Sequence, residues 1–169
     1  MADAAESSSV ELPGPGEGAP VIAAGVVQFA IPKIEPDEWI GVDFDGTLVL
    51  YVDGMYPEIG APILIMVERV RAWLAAGVQV RIFTARCSWL PGATKAMTRK
   101  RQDDAYAQKE TIREWTIAHL GQPLAVTCEK DYKCRMIWDD RAVQMVPNTG
   151  VPLAEAIAAT VGDSLRAPV

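Results

Sequence analysis

Short apolar runs alternate along this chain with segments of helical spacing, and that order restricts the fold more than any other feature. The apolar runs of strand length are Trp39–Val42, Val78–Phe83, Leu124–Cys128 and Arg135–Trp138. Helices are predicted from Pro62 to Gly77, from Asp103 to Gly121 and from Pro152 to Gly162. Because parallel strands need long crossover connections, this alternation predicts a three-layer α/β fold with a central, mainly parallel sheet.

Smaller elements are predicted around this frame. Leu48–Tyr56 has two β-favouring arms on either side of Asp53-Gly54, which predicts a β-hairpin flap. Val143–Val146 is a candidate fifth strand. Residues 1–20, rich in Ala, Ser, Gly, Pro and Glu, are expected to be a disordered acidic tail. Residues 21–38 are expected to be a linker or an edge strand, and residues 39–169 the folded domain.

The net charge is unevenly distributed between the two parts of the chain. The 169 residues include 22 acidic and 16 basic side chains, for a formal charge of −6. Residues 1–38 hold seven of the acids and only one base, Lys33, which leaves 15 acids and 15 bases in residues 39–169. The folded part is therefore neutral, so the overall acidity does not exclude a nucleic acid partner.

Membrane and extracellular classes are disfavoured by the sequence. No apolar run approaches the roughly 20 residues of a membrane-spanning helix, and the first residues lack the basic region of a secretory signal. The three cysteines, Cys87, Cys128 and Cys134, have the spacing of neither a disulfide framework nor a metal site. We therefore expect a cytoplasmic protein with no membrane partner.

Polar side chains follow three of the predicted strands at the point where each strand ends. They are Asp43 and Asp45, Thr84 and Arg86, and Asp139 and Asp140. Because ligands of parallel α/β sheets bind beyond the carboxyl ends of the strands, these side chains are expected to converge. Four carboxylates in one crevice repel each other unless a cation or a shared proton neutralises them. Hard oxygen ligands without His or Cys nearby in the sequence indicate Mg²⁺.

The order of these residues resembles the haloacid dehalogenase superfamily of aspartate-nucleophile phosphohydrolases. Asp43-Phe44-Asp45-Gly46-Thr47-Leu48 matches its first signature, Thr84 its second and Asp139-Asp140 its fourth. Lys130 matches the third signature, a basic residue upstream of the last acidic motif, and Lys133 is the alternative. The resemblance covers about residues 39–146 and implies a Rossmann-like fold of the haloacid dehalogenase type.

The resemblance implies a mechanism with a named role for each signature residue. Asp43 is the nucleophile that forms an aspartyl-phosphate, and Asp45 is the general acid and base. Thr84 and Lys130 hold the phosphoryl oxygens. The implied metal ligands are Asp43, the main-chain carbonyl of Asp45 and Asp140, with Asp139 as the alternative ligand or a neighbour of the metal site.

A narrower resemblance concerns the phosphatase half of phage polynucleotide kinase/phosphatase, a family that removes terminal 3′-phosphates from nucleic acid. It depends on Thr84-Ala85-Arg86, the basic segment Thr98–Arg101 and Asp139-Asp140-Arg141. The chain has no G-x-x-x-x-G-K-[ST] motif, so the kinase half is missing. Predicted substrate-binding residues are Thr47, Arg86, Arg99 and Arg101.

The expected substrate is a phosphate ester, either a nucleic acid end or a nucleotide. Only the hairpin-sized segment Leu48–Ala61 and the predicted loop Cys87–Gln102 lie where relatives insert a cap domain, so no cap and an open site are expected. The alternatives are a nucleotidase or small-molecule phosphatase of the same fold, and a non-catalytic binding module. A metal-dependent glycosyltransferase would leave Thr84 and Asp139-Asp140 unexplained, and a phospho-accepting receiver domain does not need the D-x-D-G-T pattern.

Overall fold

The computed structural model describes residues 21–23 and 26–164. Its strands are β1 (Val21–Ala23), β2 (Val26–Gln28), β3 (Trp39–Val42), β4 (Val80–Phe83), β5 (Ala125–Thr127) and β6 (Cys134–Trp138). Its helices are α1 (Leu64–Ala75), α2 (Lys95–Leu120) and α3 (Leu153–Ser164). The predicted α/β class is confirmed, and the expected tail over residues 1–20 lies outside the described part of the chain.

Four strands form one parallel sheet in the order β5-β4-β3-β6. In the register of the sheet, Ile40 of β3 lies between Val80 of β4 and Met136 of β6. The chain therefore moves outward from β3 to β4 and β5, and then returns to the other side of β3 to form β6. This reversal beside β3 is a topological switch point, where parallel sheets open a crevice at their carboxyl ends.

Alternate strand residues pack one face of the sheet against α1 and α2. The buried strand residues of this core are Ile40, Val42, Val80, Ile82 and Val126. The helices add Met66, Val67, Val70 and Trp73 from α1, and Ile112, Trp115 and Leu120 from α2. Phe44, just beyond β3, meets Trp115 edge to face with ring centroids 5.1 Å apart. The sheet forms one layer of the fold, and α1 and α2 form a second layer on one of its faces. The third layer of the predicted three-layer fold stays a prediction.

Helix α2 begins eight residues before the predicted start at Asp103, so the second half of the predicted loop Cys87–Gln102 is helical. The Thr94 hydroxyl caps the helix by accepting a hydrogen bond from the Met97 N–H at 3.2 Å. Further along, Asp104 pairs with Lys100 one turn earlier, at 2.7 Å. The Asp103-Asp104 pair therefore lies inside the helix, where it balances basic side chains, and does not mark its N-terminus.

The segment predicted as a hairpin flap contains a turn but no strands. The Met55 N–H donates to the Val52 carbonyl at 3.0 Å and closes a turn around Asp53-Gly54. The arms are joined only at their base, where the Leu50 N–H donates to the Ala61 carbonyl at 2.8 Å. We call residues 50–61 the site loop. Its two ends are eleven residues apart, too far along the chain for the turn alone to pair them as strands.

Three other predictions differ in detail from the structure. Val143–Val146 forms a single bridge, between Met145 and Pro152, and no fifth strand. Helix α3 continues past Gly162 to Ser164. Strands β1 and β2 pair with each other in a separate antiparallel sheet, and they are not an edge of the main sheet. None of the helices in the described ranges is long and apolar enough to span a bilayer.

Candidate functional site

A cavity of about 390 Å³ opens at the carboxyl ends of the parallel strands. Its lining includes Asp43, Asp45, Thr84, Arg86, Asp139 and Arg141. These residues follow β3, β4 and β6, the three adjacent strands at the switch point. The fold therefore brings together most of the polar residues that the sequence placed at strand ends.

Three carboxylates in this region lie close enough to share one cation. One oxygen from each of Asp43, Asp139 and Asp140 lies within 4.8 Å of the other two. Burial raises the pKa of Asp43 to about 7, and the nearby carboxylates of Asp139, Asp140 and Asp45 add to the rise. Burial is thus the main cause of the raised pKa, and the repulsion between neighbouring carboxylates is the smaller one.

Backbone hydrogen bonds fix the two arms of this acidic cluster. The Asp43 N–H donates to the Trp138 carbonyl at 2.8 Å, which extends the pairing of β3 and β6 up to the site. The Asp139 carboxylate accepts a hydrogen bond from the Arg141 N–H at 2.7 Å, which forms a tight turn after β6. The cluster therefore lies at the carboxyl ends of two paired strands.

Gly46 leaves room for the third acid. The residue has φ of +86°, a left-handed conformation that favours glycine. A Cβ atom at this position would lie 2.5 Å from Oδ2 of Asp140. The glycine of the D-x-D-G-T pattern thus permits both the turn and the close approach of the Asp140 carboxylate.

Asp45 is held by a two-pronged ion pair with Arg86. The Arg86 Nε and one terminal nitrogen donate to the two carboxylate oxygens of Asp45, both at 2.7 Å. The Arg86 side chain is only 4% exposed and that of Asp45 19% exposed. Bidentate pairing of this kind fixes the direction of both side chains as well as their distance.

Thr84 is buried at the end of β4, where it lines the cavity. Its N–H donates to the Thr127 carbonyl at 2.9 Å, and its hydroxyl accepts a hydrogen bond from the Arg86 N–H at 3.2 Å. The second bond begins a single 3₁₀ turn over Ala85–Cys87. This turn places the Arg86 side chain beside the carboxyl end of β3, where it reaches Asp45.

The other predicted substrate-binding residues lie outside the cavity. Thr47 does not line it, and its buried Oγ1 makes no hydrogen bond within the described part of the chain. Arg99 lines a separate depression at the start of α2, together with Thr94 and Lys95. Arg101 lines a neighbouring groove that shares Tyr56 and Arg86 with the cavity, and it donates to the carbonyls of residues 90 and 91.

Neither predicted lysine lines the cavity. Lys130 is exposed, and its charge acts on the Cys134 thiol, where it opposes the rise in the pKa of Cys134 that burial causes. Lys133 pairs with Asp37. Since Asp37 directly precedes the amino end of β3, Lys133 is held at the end of the strands opposite the acidic cluster.

Three side chains at the mouth of the cavity carry no predicted role. Tyr51 and Tyr56 come from the site loop, and Arg141 follows the last acidic pair. The Arg141 guanidinium lies 6.0 Å from the centre of the Tyr51 ring. The only signal in the sequence is position, because both tyrosines flank Asp53-Gly54 and Arg141 directly follows Asp140.

Comparison with known proteins gives one solved structure of low similarity. No protein family model matches the sequence, and no curated protein matches it either. A solved structure of a conserved protein from Bacteroides thetaiotaomicron is similar over 74% of this chain and 89% of its own. The two are 20% identical, with a TM-score of 0.39, which is too low to assign a function.

Proposed function

We propose that this protein is a Mg²⁺-dependent phosphomonoester hydrolase of the haloacid dehalogenase type, acting through an aspartyl-phosphate on Asp43. The observation that carries the proposal is the cluster of Asp43, Asp139 and Asp140 at the switch point. Asp45 and Thr84 line the same cavity. A purely structural role would not require three mutually repelling acids at one strand edge.

The donor set fits a hard divalent cation. All three groups are carboxylates, which suit Mg²⁺ better than softer metals. The raised pKa of Asp43 shows that burial and the neighbouring acids disfavour its charged form, a cost that a bound cation would offset. Asp43 and Asp140 would hold the ion together with the Asp45 main-chain carbonyl, and Asp139 would bind it or orient the other ligands. When bound, Mg²⁺ neutralises charge on the transferring phosphoryl group.

The side chains provide a two-step route. In the first step an oxygen of Asp43 attacks phosphorus, and the bond from phosphorus to the ester oxygen breaks. Asp45, in its protonated form, gives its proton to the departing oxygen, and the product is an alcohol. In the second step Asp45 takes a proton from water, whose oxygen attacks phosphorus and releases inorganic phosphate from Asp43. The Thr84 hydroxyl and the exposed Arg141 guanidinium bind phosphoryl oxygens.

The open cavity supports a bulky substrate. Between β3 and α1 the chain forms only turns, and between β4 and β5 it forms one 3₁₀ turn and α2. No separate cap domain therefore lies in either interval. We propose the terminal 3′-phosphate of a polynucleotide as the substrate, with Arg99 and Arg101 on α2 binding the chain beyond the phosphate. Free nucleotides are the second candidate.

Phosphate release in the presence of Mg²⁺ tests the proposal. The substrates would be a 3′-phosphorylated oligonucleotide, a 5′-phosphorylated oligonucleotide, mononucleotides and sugar phosphates. We expect release from the first, and none after Asp43→Asn. The control is Asp53→Asn, an exposed change in the turn of the site loop. Preference for mononucleotides would replace the substrate and keep the mechanism, whereas full activity of Asp43→Asn would refute the nucleophile.

A further inference from the structure

Arg86 uses every hydrogen-bond donor of its guanidinium inside the protein. A guanidinium has five N–H groups. Two of them go to the carboxylate of Asp45, and two go to the site-loop carbonyls of Pro57, at 2.7 Å, and Glu58, at 2.8 Å. The fifth goes to Oε1 of Gln108 on α2, at 3.1 Å. The residue as a whole is 7% exposed.

This saturation leaves no donor for a phosphate. An arginine that clamps a phosphoryl group presents two free N–H groups to its oxygens. Arg86 would have to release Asp45 or the site loop to do so, and the mostly buried Asp45 carboxylate would then lose its charged partner. Its aromatic neighbours restrict it further, since the guanidinium lies 5.4 Å from the Tyr56 ring centre and 5.9 Å from that of Phe44.

The partners of Arg86 belong to three separate parts of the site. Asp45 follows β3, the two carbonyls belong to the site loop, and Gln108 belongs to α2. Within the described ranges, Arg86 is the residue whose hydrogen bonds join all three. Tyr56, which lines the cavity, directly precedes the first of the bound carbonyls. The position of one cavity wall and the direction of the Asp45 carboxylate are therefore set by the same side chain.

We propose that Arg86 is a positioning residue, which fixes Asp45 and the site loop relative to each other and makes no contact with the phosphoryl group. The inference deepens the function proposed above and depends on it for the role of Asp45. It assigns phosphate contact to Thr84 and Arg141 instead. Arg86 acts on turnover through the placement of Asp45 toward the leaving oxygen.

The kinetic test separates positioning from phosphate binding. Arg86→Lys keeps the charge but cannot pair with Asp45 in two-pronged geometry. We expect kcat to fall by about 100-fold, as for a misplaced catalytic group. We expect competitive inhibition by inorganic phosphate to change by less than about 3-fold, since no phosphate contact is lost. If Arg86 instead binds phosphate directly, Arg86→Lys should weaken inhibition by inorganic phosphate by about ten-fold or more, which corresponds to roughly one lost hydrogen bond to a charged group. That result would overturn the proposal.

Two further variants calibrate this result. Gln108→Ala removes one partner and leaves Asp45 paired, so we expect a smaller loss of kcat and unchanged phosphate inhibition. Arg81→Lys is the matched control, because Arg81 lies on β4, just before the turn that holds Arg86, and pairs with Asp131, at 3.1 Å, away from the cavity. It should leave kcat unchanged.

Hydrogen exchange gives a readout that needs no enzymatic activity. The amides of Met55 and Glu58 are bonded within the site loop, at 3.0 and 2.8 Å. If Arg86 tethers this loop, both amides should exchange faster in Arg86→Lys and not in Arg81→Lys. Unchanged exchange would overturn the tether even if kcat falls. If the wild-type protein hydrolyses none of the phosphate esters, the proposed function fails, while the exchange experiment still decides the tether.

Discussion

Gly46 sets the distance between the first acidic motif and the last. It combines a left-handed backbone with a position directly against the Asp140 carboxylate. A side chain at this position would strain the left-handed backbone and would also displace the Asp140 carboxylate, so it would destabilise the protein in two separate ways. The motif glycine is therefore part of the geometry of the acidic cluster as well as of the turn.

Gly46→Ala should lower the free energy of unfolding by more than about 1 kcal/mol, the usual cost of a left-handed alanine. It should also weaken stabilisation by Mg²⁺, because Asp140 must move. Gly54→Ala is the matched control, since Gly54 has the same φ of +86° and an added methyl group there would meet no other described residue within 4 Å beyond its chain neighbours. Denaturant titrations with and without Mg²⁺ measure both effects, and equal losses for the two variants would argue against the contact with Asp140.

The raised pKa of Asp43 predicts how stability depends on pH when divalent metal is absent. The folded-state pKa of about 7 lies above the ordinary value of 3.8, so the folded protein binds this proton more tightly than the unfolded chain does. The resulting stabilisation is complete below pH 3.8 and is lost as the pH rises through about 7. The bare cluster is thus least favourable near and above neutral pH.

Asp43→Asn should therefore raise Tm in the presence of a chelator at pH 8, and by less at pH 5. Added Mg²⁺ should raise the Tm of the wild-type protein at pH 8 and have little effect on the variant. Scanning calorimetry at the two pH values measures both differences. Asp53→Asn, which is exposed, should show neither. A variant less stable than the wild-type protein at pH 8 without metal would contradict the electrostatic argument.

At the scale of elements, α2 shows how a local signal can be overruled. Carboxylates at Asp103-Asp104 favour a helix N-terminus, whereas the basic side chains before them do not. The helix nevertheless begins at Lys95, because Thr94 caps it and no Gly or Pro interrupts residues 95–120. Thr98 adds support, since its hydroxyl accepts a hydrogen bond from the Gly92 N–H at 3.0 Å.

Thr94→Ala should lower the free energy of unfolding by about 1 kcal/mol, the usual value for a lost N-cap. The matched control is Thr111→Ala on the same helix. The Thr111 hydroxyl bonds only to the Ala107 carbonyl one turn earlier, at 3.0 Å, so its removal should change stability by less than about 0.5 kcal/mol. Urea denaturation of the two variants measures the difference, and equal effects would show that Thr94 contributes nothing as a cap.

The strand ends were predictable from the sequence, whereas the contacts across the site were not. Asp43, Thr84 and Asp139 each follow an apolar run, so the rule for parallel sheets was enough to bring them together. The bidentate pairing of Arg86 depends on the exact turn after β4, which no periodicity encodes. The position of Lys130 could not be predicted either, because it depends on the path of the chain between β5 and β6, and Lys130 does not line the cavity.

At the scale of the whole molecule, the acidic cluster joins parts of the chain that are far apart in sequence. Asp43 follows β3, whereas Asp139 and Asp140 follow β6, the last strand of the sheet. Cation binding at this cluster would therefore link the two strands that meet at the switch point. If β6 pairs with β3 only after the folding transition state, a bound cation stabilises the native state and leaves the transition state unchanged.

Mg²⁺ should accordingly slow unfolding and leave refolding nearly unchanged. Stopped-flow measurements in urea, with Mg²⁺ or a chelator, separate the two rates. Asp140→Asn should abolish the dependence of the unfolding rate on Mg²⁺. An equal effect of Mg²⁺ on refolding would indicate that β3 and β6 already pair in the transition state.

The return of the chain to β3 also has a consequence for synthesis. All four residues of β3 are buried, and β6 covers one of its two hydrogen-bonding edges. While the ribosome has yet to release Cys134–Trp138, that edge presents unpaired N–H and C=O groups on an apolar strand, a template for pairing with other chains. A nascent or truncated polypeptide that stops short of β6 thus exposes an aggregation-prone strand edge and lacks Asp139 and Asp140. Pairing of β6 both covers this edge and completes the acidic cluster.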